Sequence, residues 1–343
     1  MRNPTADILK GLAVVFMIQV HIMEQFATAE LYNSWIGQLS LFIGGPLCAP
    51  IFMGVMGYFM VSPKHNYWYF IKRGTSLFGI GIGLNIIRSL NLFASSYNHL
   101  IDINHLFYIF GIDILQLAGL SLFIFGLLQK AFKSKVLLYF TLAIILVIIE
   151  PIISSFAPIN ESSAYLFAII GGTYEWSYFP ILPWFSYILL GYCFRLLIEK
   201  NNLPKEIYSK TFFLFSIPII IGLIITMPYA SSIAHNLYGK GGYYHHGILF
   251  FVWELLFAAI YIYYLNYIII RYFKTIKGIQ WIGENVTIIY IVQWIIIGNL
   301  ATILFLSQNA IQWLIWTIAI ILASVLITWG ILKIPKKKES LNY

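Results

Sequence analysis

Ten apolar stretches, each long enough to cross a lipid bilayer, constrain the fold of this chain more than any other feature of its sequence. A transmembrane helix needs roughly 20 predominantly apolar residues. Only 10% of the residues are charged, whereas soluble domains carry roughly 25%. So few charges could not cover a soluble helical bundle, and we therefore predict an all-α integral membrane protein. The stretches lie near 8–26, 37–61, 74–93, 105–129, 136–156, 177–198, 211–228, 247–270, 285–306 and 311–332.

The positive charges predict how these helices cross the membrane. If the N-terminus is cytoplasmic, the inner segments hold all but two of the 21 Lys and Arg residues, the exceptions being Arg88 and Lys240. Because cytoplasmic loops are enriched in Lys and Arg, this alternation predicts ten spans with both termini in the cytoplasm. It also attributes the net charge of +8 to topology and anionic lipid headgroups, and not to a nucleic-acid partner.

The connections between the stretches are short, which predicts one domain over 1–343 with a basic cytoplasmic tail at 333–343. Small residues at 27–29 loosely imitate a signal-peptide cleavage site. Polar residues interrupt the apolar core that such a peptide needs, so we expect the first helix to be retained. Cys48 and Cys193 lie inside apolar runs and predict neither a disulfide framework nor a metal cluster.

The first stretch carries polar residues along one face. Lys10 and His21 are eleven residues apart, which at 100° per residue places them on the same face, roughly 16 Å apart along the axis. Asp7 and Glu24 fall close to the same stripe. Histidine is well suited to proton transfer near neutral pH. The alternative is a buried histidine that only hydrogen-bonds to a neighbouring helix.

Three further ionisable residues lie within apolar stretches, where such residues are costly. Asp113 could lie at the depth of His21 and orient its imidazole, or make a hydrogen bond that packs two helices. Arg88 could hold a substrate anion or a developing oxyanion, or extend to the outer headgroups. Glu254 could take part in catalysis or pair with Arg88 or Lys240.

The outer loops are rich in aromatic and histidine side chains. Most aromatics in such loops belong to the interfacial belt of a membrane protein, although aromatic platforms also stack on sugars. The adjacent histidines lack the spacing and partners of a metal site, so we predict no metal. No P-loop, dinucleotide fingerprint or nucleophile elbow is present. The loop residues are Trp176, Tyr178, Tyr243, Tyr244, His245 and His246.

Several segments resemble the transmembrane acyltransferase superfamily. The opening sequence DILKGLAVVFM at 7–17, followed by His21, is similar to the signature of a basic residue, ten intervening residues and a histidine. Two branches share that signature: the acyltransferase-3 family and the heparan-alpha-glucosaminide N-acetyltransferase-like family, which this chain resembles more closely. Lys10 replaces the commoner arginine, and Gln293 stands where many relatives have a histidine. The other similar segments are 45–58, 112–119, 178–191 and 282–290.

This resemblance implies an acyl-CoA-dependent O- or N-acyltransferase of the cell membrane. It would transfer an acyl group, often acetyl, from cytoplasmic acyl-CoA to a hydroxyl or amine of a glycan or glycolipid on the far side. His21 would act as general base or become transiently acylated, and Asp113 would orient it. Arg88 or a backbone amide would stabilise the oxyanion. The donor phosphates would be bound by Lys10, Lys72 and Arg73.

Two other classes of function fit the same sequence. The embedded polar residues could form the pathway of a transporter or flippase that performs no covalent chemistry. A non-catalytic membrane subunit also fits the topology but leaves the polar face of the first helix unexplained. Release of free thiol from acyl-CoA discriminates an enzyme from both. Besides the acceptor, we expect membrane lipids as partners, and the oligomeric state stays open, with a homodimer among the options.

Overall fold

The computed structural model describes residues 4–62, 64–133, 135–156, 160–201, 210–239, 241–268 and 276–334. Over these residues the protein is helical, with no β-strand and only two isolated bridges between residue pairs. The prediction of an all-α fold is therefore confirmed.

Seventeen α-helices and one 3-10 turn make up the described chain. In order, they are α1 (Pro4–Phe26), α2 (Ala29–Asn33), α3 (Trp35–Gly44), α4 (Ala49–Met60), α5 (Tyr67–Arg88), α6 (Leu90–Tyr97), α7 (His105–Phe110), α8 (Ile114–Phe132), α9 (Val136–Ile153), α10 (Glu161–Ile170), α11 (Ile181–Asn201), α12 (Lys210–Ile225), α13 (Met227–His235), the 3-10 turn (Tyr243–His245), α14 (Ile248–Ile268), α15 (Lys277–Glu284), α16 (Val286–Leu304) and α17 (Ala310–Lys333).

Eight of the described helices or helix pairs are long and apolar enough to cross a membrane, and two bent pairs raise the number to ten. The bent pairs are α5 with α6, at 49°, and α12 with α13, at 54°. The upper number of spans in the structure therefore agrees with the ten predicted from the sequence. The cytoplasmic placement of both termini stays a prediction. The end of the basic tail, 335–343, lies outside the described residues, as do Lys240 and several of the loop cations.

Two further predicted spans are discontinuous. The second breaks between Gly44 and Ala49, where Gly45 and Pro46 interrupt the helical hydrogen bonding and separate α3 from α4. The fourth was predicted from residue 105, but α7 ends at Phe110 and α8 begins only at Ile114.

The late start of α8 has a local cause. Asp113 is the residue that caps α8, and its side chain accepts a hydrogen bond from the backbone N–H of Ile114 at 2.7 Å. Gln116 bonds back to the N–H of Asp113, which completes a capping box. Asp113, which was expected inside a continuous fourth span, therefore begins a helix together with Gln116.

Glycines allow the central helices to approach closely. At the crossing of α4 and α11, a Cβ on Gly57 would overlap the carbonyl oxygen of Ile188, and one on Gly191 would overlap that of Gly54. Small residues at such crossings are how membrane helices gain packing contacts, since lipid offers no hydrophobic driving force between helices. Helix α1 lies inside the bundle and contacts α3, α4, α15, α16 and α17. Its polar face therefore lies against protein, with Asp7 buried and Lys10, His21 and Glu24 half-buried.

Candidate active site

His21 lies on α1, about one and a half turns before the helix ends at Phe26. Its Nδ1 is 3.3 Å from the Oε1 atom of Gln293 on α16. The imidazole also packs against the indole of Trp294, with ring centroids 4.1 Å apart and planes inclined by 32°. Two consecutive residues of α16 thus fix both the hydrogen bonding and the plane of the imidazole.

Asp113 forms the charged centre of the same region. One carboxylate oxygen is paired with Arg88, the last residue of α5. The other accepts the hydroxyl hydrogen of Tyr290 at 2.9 Å, in addition to the N–H of Ile114. Asp113 is 4% exposed, so this ion pair is buried in the bundle. A buried carboxylate needs such charged and hydrogen-bonded partners to remain ionised.

Trp294 connects the two groups. The Arg88 guanidinium carbon lies 4.7 Å from the centre of a Trp294 ring, and the same side chain packs against His21. Arginine stacked on an aromatic ring is a favourable pairing, worth roughly 0.5–2 kcal/mol. Helices α1, α5, α8 and α16 therefore meet in one polar network inside an apolar bundle.

A narrow cavity opens onto this network. Four residues of α1, spaced so that they share one face, form one wall: Met17, Val20, His21 and Glu24. Asp113 and Tyr290 reach it from the ion-pair side, and the break between α3 and α4 forms another wall. Its volume is about 30 Å³, which is room for one or two water molecules. A sugar or thioester would therefore require the walls to move apart.

The structure brings His21 and Asp113 to one cavity, as their predicted depths suggested. They interact electrostatically, but the hydrogen bond to the imidazole comes from Gln293 and not from Asp113. The oxygens of Asp113 are occupied by Arg88, Tyr290 and the start of α8. The hydrogen bond to the imidazole is therefore made by Gln293, and a role of Asp113 toward His21 stays a proposal.

Arg88 does not extend to the headgroups, and it does not pair with Glu254. Its partner is Asp113, and it is not among the residues that line the cavity. Glu254 on α14 is fully buried, and neither of its carboxylate oxygens has a hydrogen-bond partner among the described residues. Lys240, the other suggested partner of Glu254, lies outside those residues.

The predicted donor-binding cations lie away from the cavity. Lys10 forms an ion pair with Asp7 at 2.7 Å and approaches the ring of Phe59 at 5.9 Å. Lys72 and Arg73 are not in a loop but within α5, where both are exposed. Helix α1 crosses the bundle once, and α3 with α4 crosses it back. Helix α5 therefore starts on the side where α1 starts, which places Lys72 and Arg73 on the same side as Lys10.

The segment around the 3-10 turn is folded into the protein and is not part of an interfacial belt. Tyr243, Tyr244, His245 and His246 are all at most 6% exposed. The hydroxyl of Tyr243 donates to the carbonyl of Gly45 at 2.9 Å, which ties this segment to the α3–α4 break. Burial lowers the pKa of both histidines to about 4, so they are neutral at physiological pH.

No group of three or more His, Cys, Asp or Glu side chains that could hold a metal occurs within the described part of the chain. His245 Nδ1 and Glu150 Oε1 form a pair, 3.9 Å apart. Two protein ligands are fewer than the three that catalytic zinc sites use.

The residues that contact His21 are recognisable in the sequence, although we assigned them no role. Gln293 is a polar residue inside an apolar stretch, and it follows the segment 282–290 that carries the resemblance. Tyr290 and Trp294 share a helical face with it or lie next to it. Nothing in the sequence, however, indicates which helix they face.

One of the comparisons with known proteins identifies a family. The family described as heparan-alpha-glucosaminide N-acetyltransferase, catalytic, matches residues 2–223, which is more than half of the chain. This range includes His21, Glu24, Arg88 and Asp113, whereas α16 lies beyond it. No curated protein and no solved structure gave a match. With its helices, buried polar network and matched range taken together, the chain belongs to the heparan-alpha-glucosaminide N-acetyltransferase family.

Proposed function

We propose that this protein is a membrane-embedded acyltransferase that moves an acyl group, acetyl in the simplest case, from cytoplasmic acyl-CoA to a hydroxyl or amine of a glycan or glycolipid on the other side. The observation that carries the proposal is the position of His21, which lines a polar cavity inside the bundle beside Asp113. The family membership supplies the reaction class. Acyl-CoA contributes the activated thioester.

In this mechanism His21 is the general base. When Nδ1–H donates to the Oε1 atom of Gln293, the lone pair of Nε2 is free to accept a proton. The acceptor loses that proton to His21 as its oxygen or nitrogen bonds to the acyl carbon. The carbon–sulfur bond then breaks, and the proton passes from His21 to the departing thiolate. Transient acylation of His21 is a second route, which leads to the same products, the acylated acceptor and the free thiol.

The surroundings of His21 suit this proton transfer. Asp113 lies within electrostatic range, so its negative charge would stabilise the imidazolium that forms when His21 accepts the proton. The pairing of Asp113 with Arg88 holds the carboxylate in place. Asp113 and Arg88 thus act as positioning residues in this proposal.

The first turn of α4 is our candidate for stabilising the oxyanion. Cys48, which precedes α4, and Ala49, its first residue, line the cavity, and no side chain caps this helix end. Uncapped N–H groups at a helix start favour a developing negative charge. Arg88 is less suited to that task, because its guanidinium already pairs with Asp113.

For the donor we retain Lys10, Lys72 and Arg73 as phosphate-binding candidates. Lys72 and Arg73 are exposed and available, whereas Lys10 would have to exchange its partner Asp7 for a phosphate. Cations suit phosphates, and apolar helix faces suit the pantetheine arm.

Thiol release by purified protein in lipid nanodiscs tests the proposal. Acyl-CoA and an extract of cell-envelope glycans are supplied together, and free thiol and transferred acyl group are measured. We expect His21→Ala to lower the rate at least ~100-fold, the usual scale for a general base. His105→Ala, which changes an exposed histidine at the start of α7, is the matched control and should keep the native rate.

Two results would contradict the proposal. A folded His21→Ala protein that transfers acyl groups at the native rate would remove His21 from the chemistry. Movement of a glycolipid across the membrane without any release of thiol would instead assign the bundle to the transporter or flippase class.

A further inference from the structure

Glu24 lies three residues after His21 on the cavity-lining face of α1. Residues three apart on a helix are neighbours, with Cβ atoms roughly 5–6 Å from each other. A group bound to the Glu24 carboxylate can therefore also reach the imidazole. The side chain is partly buried, and no hydrogen bond or ion pair joins it to another of the described residues.

Glu24 differs in this respect from Asp113, the other carboxylate that lines the cavity. The oxygens of Asp113 are occupied by Arg88, by Tyr290 and by the capped end of α8. Asp113 also repels a negative charge on Glu24, since the two groups interact electrostatically. A carboxylate inside a membrane protein is costly unless it receives hydrogen-bond donors or a cation. Glu24 is therefore the cavity acid that still has accepting capacity.

Three tyrosines form an aromatic wall beside Glu24. The ring centroids of Tyr178 and Tyr244 are 5.6 Å apart, and Tyr238 lies 5.7 Å from each of them. All three tyrosines are within electrostatic range of Glu24. Tyr244 lines the cavity, whereas Tyr178 and Tyr238 are partly exposed, so the aromatic wall runs from the cavity to the protein surface.

The chemistry of this wall is that of a carbohydrate site. Aromatic rings present an apolar face with a polar hydroxyl at the edge, which suits a ring that has both C–H faces and hydroxyl groups. Burial raises the pKa of Tyr178 to about 12, so its phenol is a neutral hydrogen-bond donor at physiological pH. Glu24 supplies the acceptor at the inner end of the wall.

We propose that Glu24 and the aromatic wall form the acceptor subsite, in which a sugar stacks on the tyrosines and donates a hydroxyl beside its reacting group to Glu24, which holds the reacting O–H or N–H group next to His21. This inference rests on the proposed function. Glu24 is a binding residue here, and His21 remains the proton acceptor. The donor side of the reaction does not involve Glu24.

The test separates the acceptor from the donor. Cells that lack the gene are complemented with wild type or Glu24→Gln, and acyl groups on cell-surface glycans and lipids are measured by mass spectrometry. In parallel, purified proteins are assayed for acyl-CoA binding and for its slow hydrolysis by water. We expect Glu24→Gln to lower cell-surface acylation at least tenfold and to leave acyl-CoA binding within twofold of wild type. Glu150→Gln, which neutralises a buried carboxylate that does not line the cavity, is the control for folding.

Each outcome decides between the two proposals. If Glu24→Gln gives the same cell-surface acylation as wild type, or if it loses acyl-CoA binding, the acceptor subsite is overturned. The acyltransferase proposal stands in either case. If wild type adds no acyl group to any surface molecule, the acyltransferase proposal falls and the subsite falls with it. Treatment of the acylated products with hydroxylamine removes esters and spares amides, which tells an O–H acceptor from an N–H acceptor.

The aromatic wall has its own test. Tyr238→Leu removes a stacking ring, and we expect the acceptor KM, measured with the glycan that mass spectrometry identifies, to rise at least fivefold with little change in acyl-CoA binding. Tyr238→Phe keeps the ring and should retain most of the affinity. Tyr97→Leu changes a tyrosine that is 85% exposed and should have no effect. Equal KM values for Tyr238→Leu and Tyr97→Leu would exclude stacking on this wall.

Discussion

At the scale of single residues, His21 and its hydrogen-bond partner Gln293 are separated by 272 positions in the chain. The spacing of Lys10 and His21, together with the family resemblance, singled out the histidine from the sequence. The identity of its partner was not predictable, because nothing along the chain states which faces of α1 and α16 meet. The same holds for Asp113, whose role as the cap of α8 depends on where α7 ends.

We expect Gln293→Leu to lower the rate of acyl transfer roughly 10–100-fold, the scale found when a partner that orients a reactive histidine is removed. Leucine keeps the approximate size of the side chain but cannot accept from Nδ1–H, so the imidazole loses its fixed tautomer and orientation. The measurement is the kcat for thiol release, together with the apparent Tm.

Gln129→Leu provides the matched control. It makes the same replacement near the C-terminal end of α8, at a glutamine whose Oε1 atom has no hydrogen-bond partner among the described residues. That variant should keep its native kcat. If Gln293→Leu also keeps it, Gln293 does not orient the catalytic group.

At the scale of helices, the apolar stretches predicted the spans well, while their breaks were harder to see. Gly45 and Pro46 signal the break between α3 and α4, and Pro228 lies near the bend between α12 and α13. The lengths of the short helices α7, α10 and α15 follow from tertiary contacts that hydropathy does not record. The packing role of the glycines of α4 and α11 was equally hard to predict, because it depends on which helix they face.

Gly57→Ala should destabilise the protein by about 1–3 kcal/mol, because the added Cβ overlaps the backbone of α11 and forces the helices apart. Thermal unfolding in detergent, followed by tryptophan fluorescence, measures the change.

The same substitution at Gly79 should act in the opposite direction. Gly79 lies on an exposed face of α5, and a Cβ there meets no atom within 4 Å. Alanine is the better helix former, so Gly79→Ala should stabilise by roughly 0.5–1 kcal/mol. If the two substitutions changed the stability equally, the contact between α4 and α11 would have room for the added Cβ.

At the scale of the whole molecule, the number of spans could be predicted from the apolar stretches and the alternation of positive charges, and the prediction of ten agrees with the helices and bent pairs of the structure. The charges add a predicted orientation, with both termini in the cytoplasm. The orientation matters for function, because it decides which end of α1 faces the donor.

Cysteine labelling tests this orientation. Cys48 and Cys193 are both buried, so the native thiols should not react with a membrane-impermeant maleimide. Tyr97→Cys at the end of α6 should be labelled on intact cells, whereas Lys135→Cys before α9 should be labelled only after permeabilisation, since we place it in the cytoplasm. The reverse pattern would invert the topology and, with it, the direction of acyl transfer.

The position of His21 along α1 has a consequence for the sizes of the two substrates. Seventeen residues separate His21 from the described start of α1 at Pro4, and five separate it from Phe26. At 1.5 Å per residue these distances are about 25 Å and about 8 Å. With the predicted topology, a donor must be slender and long enough to cover most of the membrane thickness. An acceptor needs to insert only its terminal unit, so a polymer of any length could be modified at its end.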